Sequence, residues 1–407
     1  MSLTLPGLRS ATAVALVAMF GLVACGSSGG DDAAGATSAT PEPVVTCTAP
    51  AGGLVLAVGV HANAPAPDVP AGVGCLIETA VRGHLPISVV GIDGTPAVDP
   101  AVSARTFTVR TANPGATRQD VDSGIATVVN AVRGLKADSD GSDVVAAFGL
   151  AHDLAVSGSG GRATVVVLDP LLPDRGALRL TEPGWAEADP AGAADTLDRG
   201  HRLPPGDGLD YRLVGVGYTA PPQEPLPTAL RQNVTAIWTA VLTRGGAHVV
   251  ADPTPRQGPA PRTSFTTETV AVPAVPQPSL CPGVPIVYDN TSALGFRPDS
   301  EALVDPDDAA HALDGVAAWL RADPARQAAV LGTTARIGDE TGQLDLSRRR
   351  AAAVRRVLLD LGAAADQVVA DGVGSRFSAY IPDADDPIAR QHNRSVRITL
   401  SGPADPC

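Results

Sequence analysis

The chain has 407 residues, of which 44% are hydrophobic but only 3% aromatic, and a formal net charge of −13. This length allows two ordinary domains, whose cores must be built from Ala, Val and Leu more than from rings. The acidic balance excludes nucleic acid or an anionic lipid face as the main partner.

From the N-terminus, Arg9 gives a weakly positive start, Ala11 to Ala24 is apolar, and Leu22-Val23-Ala24-Cys25 follows. The apolar run is too short for a spanning helix and leads into polar residues. Residues 1–24 resemble a bacterial lipoprotein signal peptide ending in a lipobox. The resemblance implies cleavage before Cys25, diacylglycerol and palmitate-type acyl chains on that residue, and a membrane-anchored envelope protein on the extracytoplasmic side. At least two acyl chains make such an anchor stable. Export with a free Cys25 is the alternative. Residues 26–46 are rich in Gly, Ser, Ala, Asp and Pro and read as a flexible tether reaching roughly 25 Å.

Residues 47–250 alternate two patterns. Leu54 to Val60, Ile87 to Ile92, Ala163 to Leu168 and Tyr211 to Val216 are short apolar runs, suited to parallel strands buried on both faces. Cys75 to Val81, Val121 to Leu135, Val144 to Val156 and Ala229 to Leu242 carry helical patterns, and Trp238 falls in the expected core. The alternation predicts α/β architecture with a doubly wound, mostly parallel sheet, and Ala104 to Arg110 as an edge strand. Order and lengths resemble a von Willebrand A-like or related Rossmann-like domain. The metal site of such domains needs Asp-x-Ser-x-Ser after the first strand. Here Gly59-Val60-His61-Ala62-Asn63 stands in that place, and Asp169 alone does not build the site, so no metal is expected.

No nucleophile elbow, P-loop or paired-His motif occurs, and no cofactor is implied. Gly215, Gly217 and Ala220 have the spacing of a dinucleotide site. Pro221 and Pro222 stop the helix that such a site requires, so a turn is expected. Ser157 to Gly160 reads as a flexible turn and His61 as a surface or hydrogen-bonded side chain. Asp138, Asp140 and Asp143 read as helix-capping acids more than as a calcium loop.

Residues 251–284 are Pro-rich and read as a linker, crossed by a short strand at Ser264 to Val272. With Cys25 lipidated, Cys47, Cys75, Cys281 and Cys407 remain, an even number suited to disulfides in an exported protein. Cys47 with Cys75 and Cys281 with Cys407 is the pairing that keeps each bridge inside one expected domain.

Residues 285–407 read as strand, helix (Asp307 to Arg321), strand (Ala328 to Gly332), helix (Ser347 to Leu361), strand (Gln367 to Val373), a variable loop (Phe377 to Gln391) and a last strand (Ser395 to Leu400). Gly332-Thr333-Thr334-Ala335 and Leu346-Ser347-Arg348-Arg349-Arg350-Ala351 resemble the ligand loop and helix start of OmpA-like domains. Phe296 to Leu303, Gly372-Val373-Gly374 and Asn393-Arg394-Ser395-Val396 match the same pattern, and the resemblance spans Val287 to Leu400. It implies a smaller α/β sandwich that associates with peptidoglycan and is not an enzyme. In that family an Asp takes the ammonium, and an Arg the carboxylate, of the diaminopimelate zwitterion in the peptide stem. Arg350 holds the Arg position. Ala335 holds the Asp position, with no gap between the motifs. Thr334, Arg394 and Asp339 are candidate helpers, Asp339 being the nearest acid in the loop.

Helical spacing puts Leu346, Arg350, Val354, Val357 and Leu361 on one stripe, with Ser347 as the N-cap. An Arg on an apolar stripe, in a first turn whose dipole disfavours cations, needs an anion. Either a ligand carboxylate or an internal pair with Asp339, Glu340 or Asp345 supplies it. The expected protein is a non-enzymatic envelope lipoprotein that holds peptidoglycan and binds an unidentified protein partner through its α/β domain, with no nucleic acid involved. The alternative is an OmpA-like domain that has lost wall binding and serves as a structural or interaction module.

Overall fold

A computed structural model describes residues 49–272 and 279–403. The expected signal segment, Cys25, the tether, Cys47 and Cys407 lie outside the described residues. The first sheet and its helices comprise β1 (Leu54–Gly59), α1 (Ala71–Arg82), β2 (Ile87–Ile92), β3 (Ala97–Val98), α2 (Pro114–Gly134), α3 (Val144–Ser159), β4 (Ala163–Leu168), α4 (Pro190–Arg199), β5 (Leu209–Val214), α5 (Thr228–Arg244) and β6 (His248–Asp252). The second sheet and its helices comprise β7 (Ile286–Asp289), α6 (Pro306–Arg321), β8 (Gln327–Gly332), α7 (Glu340–Asp360), β9 (Val368–Gly372), α8 (Pro387–Asn393) and β10 (Ser395–Ser401).

The first sheet runs β3-β2-β1-β4-β5-β6 and is parallel except for β3. This is a doubly wound order, as the alternation of patterns predicts. β1 shows how the sheet is covered. Leu54, Leu56 and Val58 pack with Val73, Ile77, Val81 and Val128 of α1 and α2. Val55 and Ala57 pack on the opposite face, with Phe148 of α3 and Trp238 of α5 in that core. Period-two alternation between two covered faces explains why the strand reads as an unbroken apolar run. Phe148 stands edge-on to Tyr211 and Trp238, with centroids 5.1 and 5.5 Å apart. Trp238 satisfies its indole by donating to the Leu171 carbonyl at 2.8 Å.

Several local expectations change. The edge strand is β3, and from the 104–110 stretch only Arg105 forms a bridge, to Ile87. α4 and β6 were not expected: Pro190 to Arg199 has little apolar content, and β6 is an edge strand with mostly exposed side chains. Ser157 and Ser159 complete α3, and Gly160 ends it in a left-handed C-cap, so this is a helix end and not a flexible turn. Asp143 caps α3. The Gly215–Gly217 stretch is a turn, both glycines having positive φ, and α5 starts only at Thr228. Residues 264–272 form no strand. Instead the amides of Thr266, Glu268 and Val270 donate to Asp140, Asp174 and Gln223, strapping this stretch onto the first lobe.

The second sheet runs β7-β10-β8-β9, with β8 and β9 parallel and β10 antiparallel to β7 and β8. Leu313, Val316 and Leu320 of α6 and Val354 and Leu358 of α7 cover one face, against Val330, Ile398 and Leu400. Gln327, Ala329 and Val369 are exposed on the other face, giving a two-layer sandwich. Gly332 and Gly372 are register partners on β8 and β9. A Cβ on Gly332 would lie 2.1 Å from the Ser347 carbonyl oxygen, and one on Gly372 would lie 2.2 Å from the Arg348 nitrogen. α7 therefore rests backbone to backbone on these strand ends, which fixes the position of Arg350 one turn further on.

The start of α7 also differs. The helix begins at Glu340 with Asp339 as its cap, accepting from the Gly342 amide at 2.8 Å. Ser347 is an interior, fully buried residue and not the N-cap. Gly342, a poor helix former, obscures the first turns in the sequence. Arg350 consequently lies outside the first turn, and the dipole argument does not apply to it. Phe296 and Leu303 form a bridge around a turn, the opening strand being β7. Part of the expected variable loop is α8.

Candidate functional site

Arg350 is 5% exposed and lines a crevice with Tyr288, Asn290, Phe296, Thr333 and Arg394. Its Nε donates to the Ser300 carbonyl at 3.0 Å, and Nη2 makes a long contact of 3.5 Å to the Arg297 carbonyl. The guanidinium lies over the Phe296 ring, 5.1 Å from its centroid. Burial lowers its pKa to about 10, and neighbouring Arg394 adds to the effect against weaker opposition from Asp299 and Glu301. Among the described residues no carboxylate forms an ion pair with Arg350. The expected internal partners are engaged elsewhere: Asp345 with Arg349, Glu340 with Arg376, and Asp339 as the cap of α7. Arg350 is thus a buried cation bonded only to carbonyls and stacked on a ring, an arrangement that carries an uncompensated desolvation cost.

The other expected residues divide. Thr334 is buried with its hydroxyl unpartnered, while its amide donates to the Gly374 carbonyl at 2.9 Å. Thr333 ties β8 to β10, its hydroxyl bonding the Asn393 and Ser395 carbonyls at 2.7 and 3.0 Å. Asp339 is exposed and does not line the Arg350 crevice, so it does not stand in for the acid missing at Ala335. Ala335 itself is 3% exposed. The acid beside it is Asp383, from the loop before α8, which accepts from the amide of Arg336 at 3.0 Å and from Asn393 at 3.1 Å. Burial pushes the Asp383 pKa up, but bonds from Tyr380, the Arg336 amide and Asn393 outweigh it and hold it below the usual range. Nothing in the sequence pattern marks Asp383, because its approach to Arg336 depends on how the loop folds back.

Arg394 is already engaged. Its Nη1 donates to Oδ2 of Asp189 at 2.6 Å and to Gln391 at 3.2 Å. Asp189 belongs to the first lobe, where it caps α4. The crevice that Arg394 shares with Arg350 is narrow, without room for a water molecule.

In the first lobe, His61 and Asp169 form a buried pair at 3.0 Å beyond the ends of β1 and β4. His61 is thus hydrogen-bonded and not at the surface. The second oxygen of Asp169 accepts from the Leu171 amide at 2.6 Å. Among the described residues no group of three or more His, Cys, Asp or Glu is placed to hold a metal ion. No helix among them is long and apolar enough to cross a membrane.

Residues 295–394 match the OmpA family, so the second lobe carries an OmpA family domain. Among solved structures, the peptidoglycan-associated lipoprotein from Burkholderia pseudomallei is 27% identical, with a TM-score of 0.24 over 26% of this chain and 86% of that one. The periplasmic domain of Helicobacter pylori MotB is 22% identical, with a TM-score of 0.26 over 30% and 85%. An outer membrane protein from Borrelia burgdorferi is 22% identical, with a TM-score of 0.22 over 29% and 88%. No curated protein sequence matches the chain.

Proposed function

We propose that this is a non-enzymatic cell-envelope lipoprotein whose OmpA family domain associates with peptidoglycan, while its von Willebrand A-like α/β lobe binds a protein partner. The observation that carries the wall-binding reading is Arg350, buried and without a carboxylate, at the motif position whose Arg takes the stem-peptide carboxylate in this family. The ammonium end has no acid at Ala335, so the grip is one-sided and weaker than in a domain with both charges. Cys25 carries the lipid anchor, and Cys47–Cys75 and Cys281–Cys407 are the disulfides. Neither Cys75 nor Cys281 is a free thiol, which fits a bridge at each of them under this or the crossed pairing. The second reading, an interaction module without wall binding, is favoured by Ala335 and by the engagement of Arg394 with the first lobe.

Co-sedimentation of the full chain with insoluble peptidoglycan separates the two readings. Wild type is expected to pellet and Arg350→Ala to remain in solution. Should wild type stay soluble while Ala335→Asp pellets, the module reading stands and wall binding is a lost activity. Equal pelleting of wild type and Arg350→Ala removes Arg350 from the site.

A further inference from the structure

Arg394 reaches out of its own lobe for its only carboxylate partner among the described residues. Asp189 is 5% exposed and sits between two guanidiniums: Oδ2 takes Arg394 at 2.6 Å and Oδ1 faces Arg390 at 3.6 Å. Oδ1 also accepts from the Gly192 amide at 2.8 Å, and the Asp189 amide donates to the Pro387 carbonyl at 2.8 Å. The carboxylate is therefore held from both lobes. Around it the surfaces fit closely. A Cβ on Gly184 would lie 2.7 Å from Ile388, and one on Gly192 would lie 2.9 Å from Pro387. Thr291 donates to Glu187 at 3.3 Å, and at the rim Arg199 pairs with Asp385 at 2.7 Å.

We infer that Asp189 is an intramolecular ligand of the OmpA family domain, occupying Arg394 in place of an external carboxylate. The inference rests on the wall-binding reading and adds a specificity determinant to that site. A ligand carboxylate that takes Arg394 as well as Arg350 must displace Asp189, because Asp189 already occupies Arg394 Nη1 at 2.6 Å. An incoming carboxylate meets a preorganised competitor bonded to Arg394 and faced by Arg390, which weakens its binding. The measured affinity is reduced by the fraction of molecules in which Arg394 is free.

The test uses the full chain and insoluble peptidoglycan as the probe. Asp189→Asn keeps a side-chain oxygen for the α4 cap, since Asn caps as well as Asp, and removes the charge. It is expected to lower the half-saturating peptidoglycan concentration about tenfold, the effect of raising the free fraction by the same factor. Amide exchange over residues 387–394 is expected to quicken, and pelleting is expected to disappear in Asp189→Asn/Arg350→Ala. Asp385→Asn, which removes the exposed pair at the rim, is expected to change neither readout. Equal half-saturation for wild type and Asp189→Asn, both dependent on Arg350, overturns the role of Asp189 and leaves wall binding intact. A rise in affinity with Asp385→Asn as large as with Asp189→Asn also overturns it, since general loosening then explains the gain. Absence of pelleting in Asp189→Asn despite quickened exchange defeats the wall-binding reading and this inference with it.

Discussion

Replacing Arg350 with Met should stabilise the chain while ending wall association. Burial, with neighbouring Arg394 adding to it, brings the guanidinium pKa down to about 10. At about 1.36 kcal/mol per unit, this disfavours the charged form by about 3 kcal/mol. A base whose folded pKa is depressed carries its full penalty below the folded value, here about 10, and the penalty is relieved as pH climbs from there towards the unfolded value. The cost is therefore complete at neutral pH. Met fills most of the same space but loses the bond to the Ser300 carbonyl, the longer contact to Arg297 and the stacking on Phe296. Those losses total about 2 kcal/mol. The balance is a gain of about 1 kcal/mol, in keeping with buried charges that give way to apolar groups of similar volume. For a chain of this size it amounts to a rise in Tm of about 1 °C. Urea unfolding and thermal melting at neutral pH measure it. A destabilisation of about 2 kcal/mol or more would refute the reasoning, because Arg350 would then be a structural clamp and not a cation awaiting a ligand.

Gly332→Ala should destabilise the second lobe by about 3 kcal/mol, since its Cβ would meet the Ser347 carbonyl and α7 would have to lift; denaturant unfolding reads this, and a change under about 0.5 kcal/mol contradicts the backbone contact. Trp238→Ala should cost about 3–5 kcal/mol by emptying the aromatic centre of the first core, measured the same way. The His392 pKa is raised, first by its bond to Asp289 and then by nearby Asp289, Glu187 and Asp386 charge, against burial. A raised base contributes stability fully present below the unfolded value of 6.5 and lost as pH rises through the folded value. Burial of Glu187 raises its pKa too, which acts with the same sign at lower pH. Amide protection over residues 387–394, corrected for base-catalysed intrinsic exchange, should therefore fall as pH rises above 6.5, and His392→Gln should flatten that dependence. A pH profile unchanged by His392→Gln would remove this histidine from the interface energetics.

The second core was read almost whole from sequence. The apolar stripe of α6, the strands β8 and β10 and the motif loop each carry their own periodicity or spacing. α7 was read short because Gly342 interrupts the pattern and the cap, Asp339, lies before it. The stripe through Arg350 was correct in direction, although the fully buried residues of α7 include Gln343, Ser347 and Ala351 more than Leu346 or Leu361. In the first lobe the two-sided strands were legible because burial on both faces leaves an unbroken apolar run. β6 and α4 were not, since an edge strand and a helix of small residues draw stability from neighbours and not from their own pattern.

The sequence by itself determined the two-sided buried strands of the first sheet, the OmpA-like motif, the buried Arg350 and the missing acid at Ala335. These depend on residues close together in the chain, where period and spacing carry the information. Only the tertiary structure decided that no carboxylate among the described residues pairs with Arg350, that Asp383 sits beside Arg336, and that Asp189 holds Arg394. Each of those outcomes joins groups far apart in sequence, and a charge finds its partner through packing of whole elements, which local pattern does not encode.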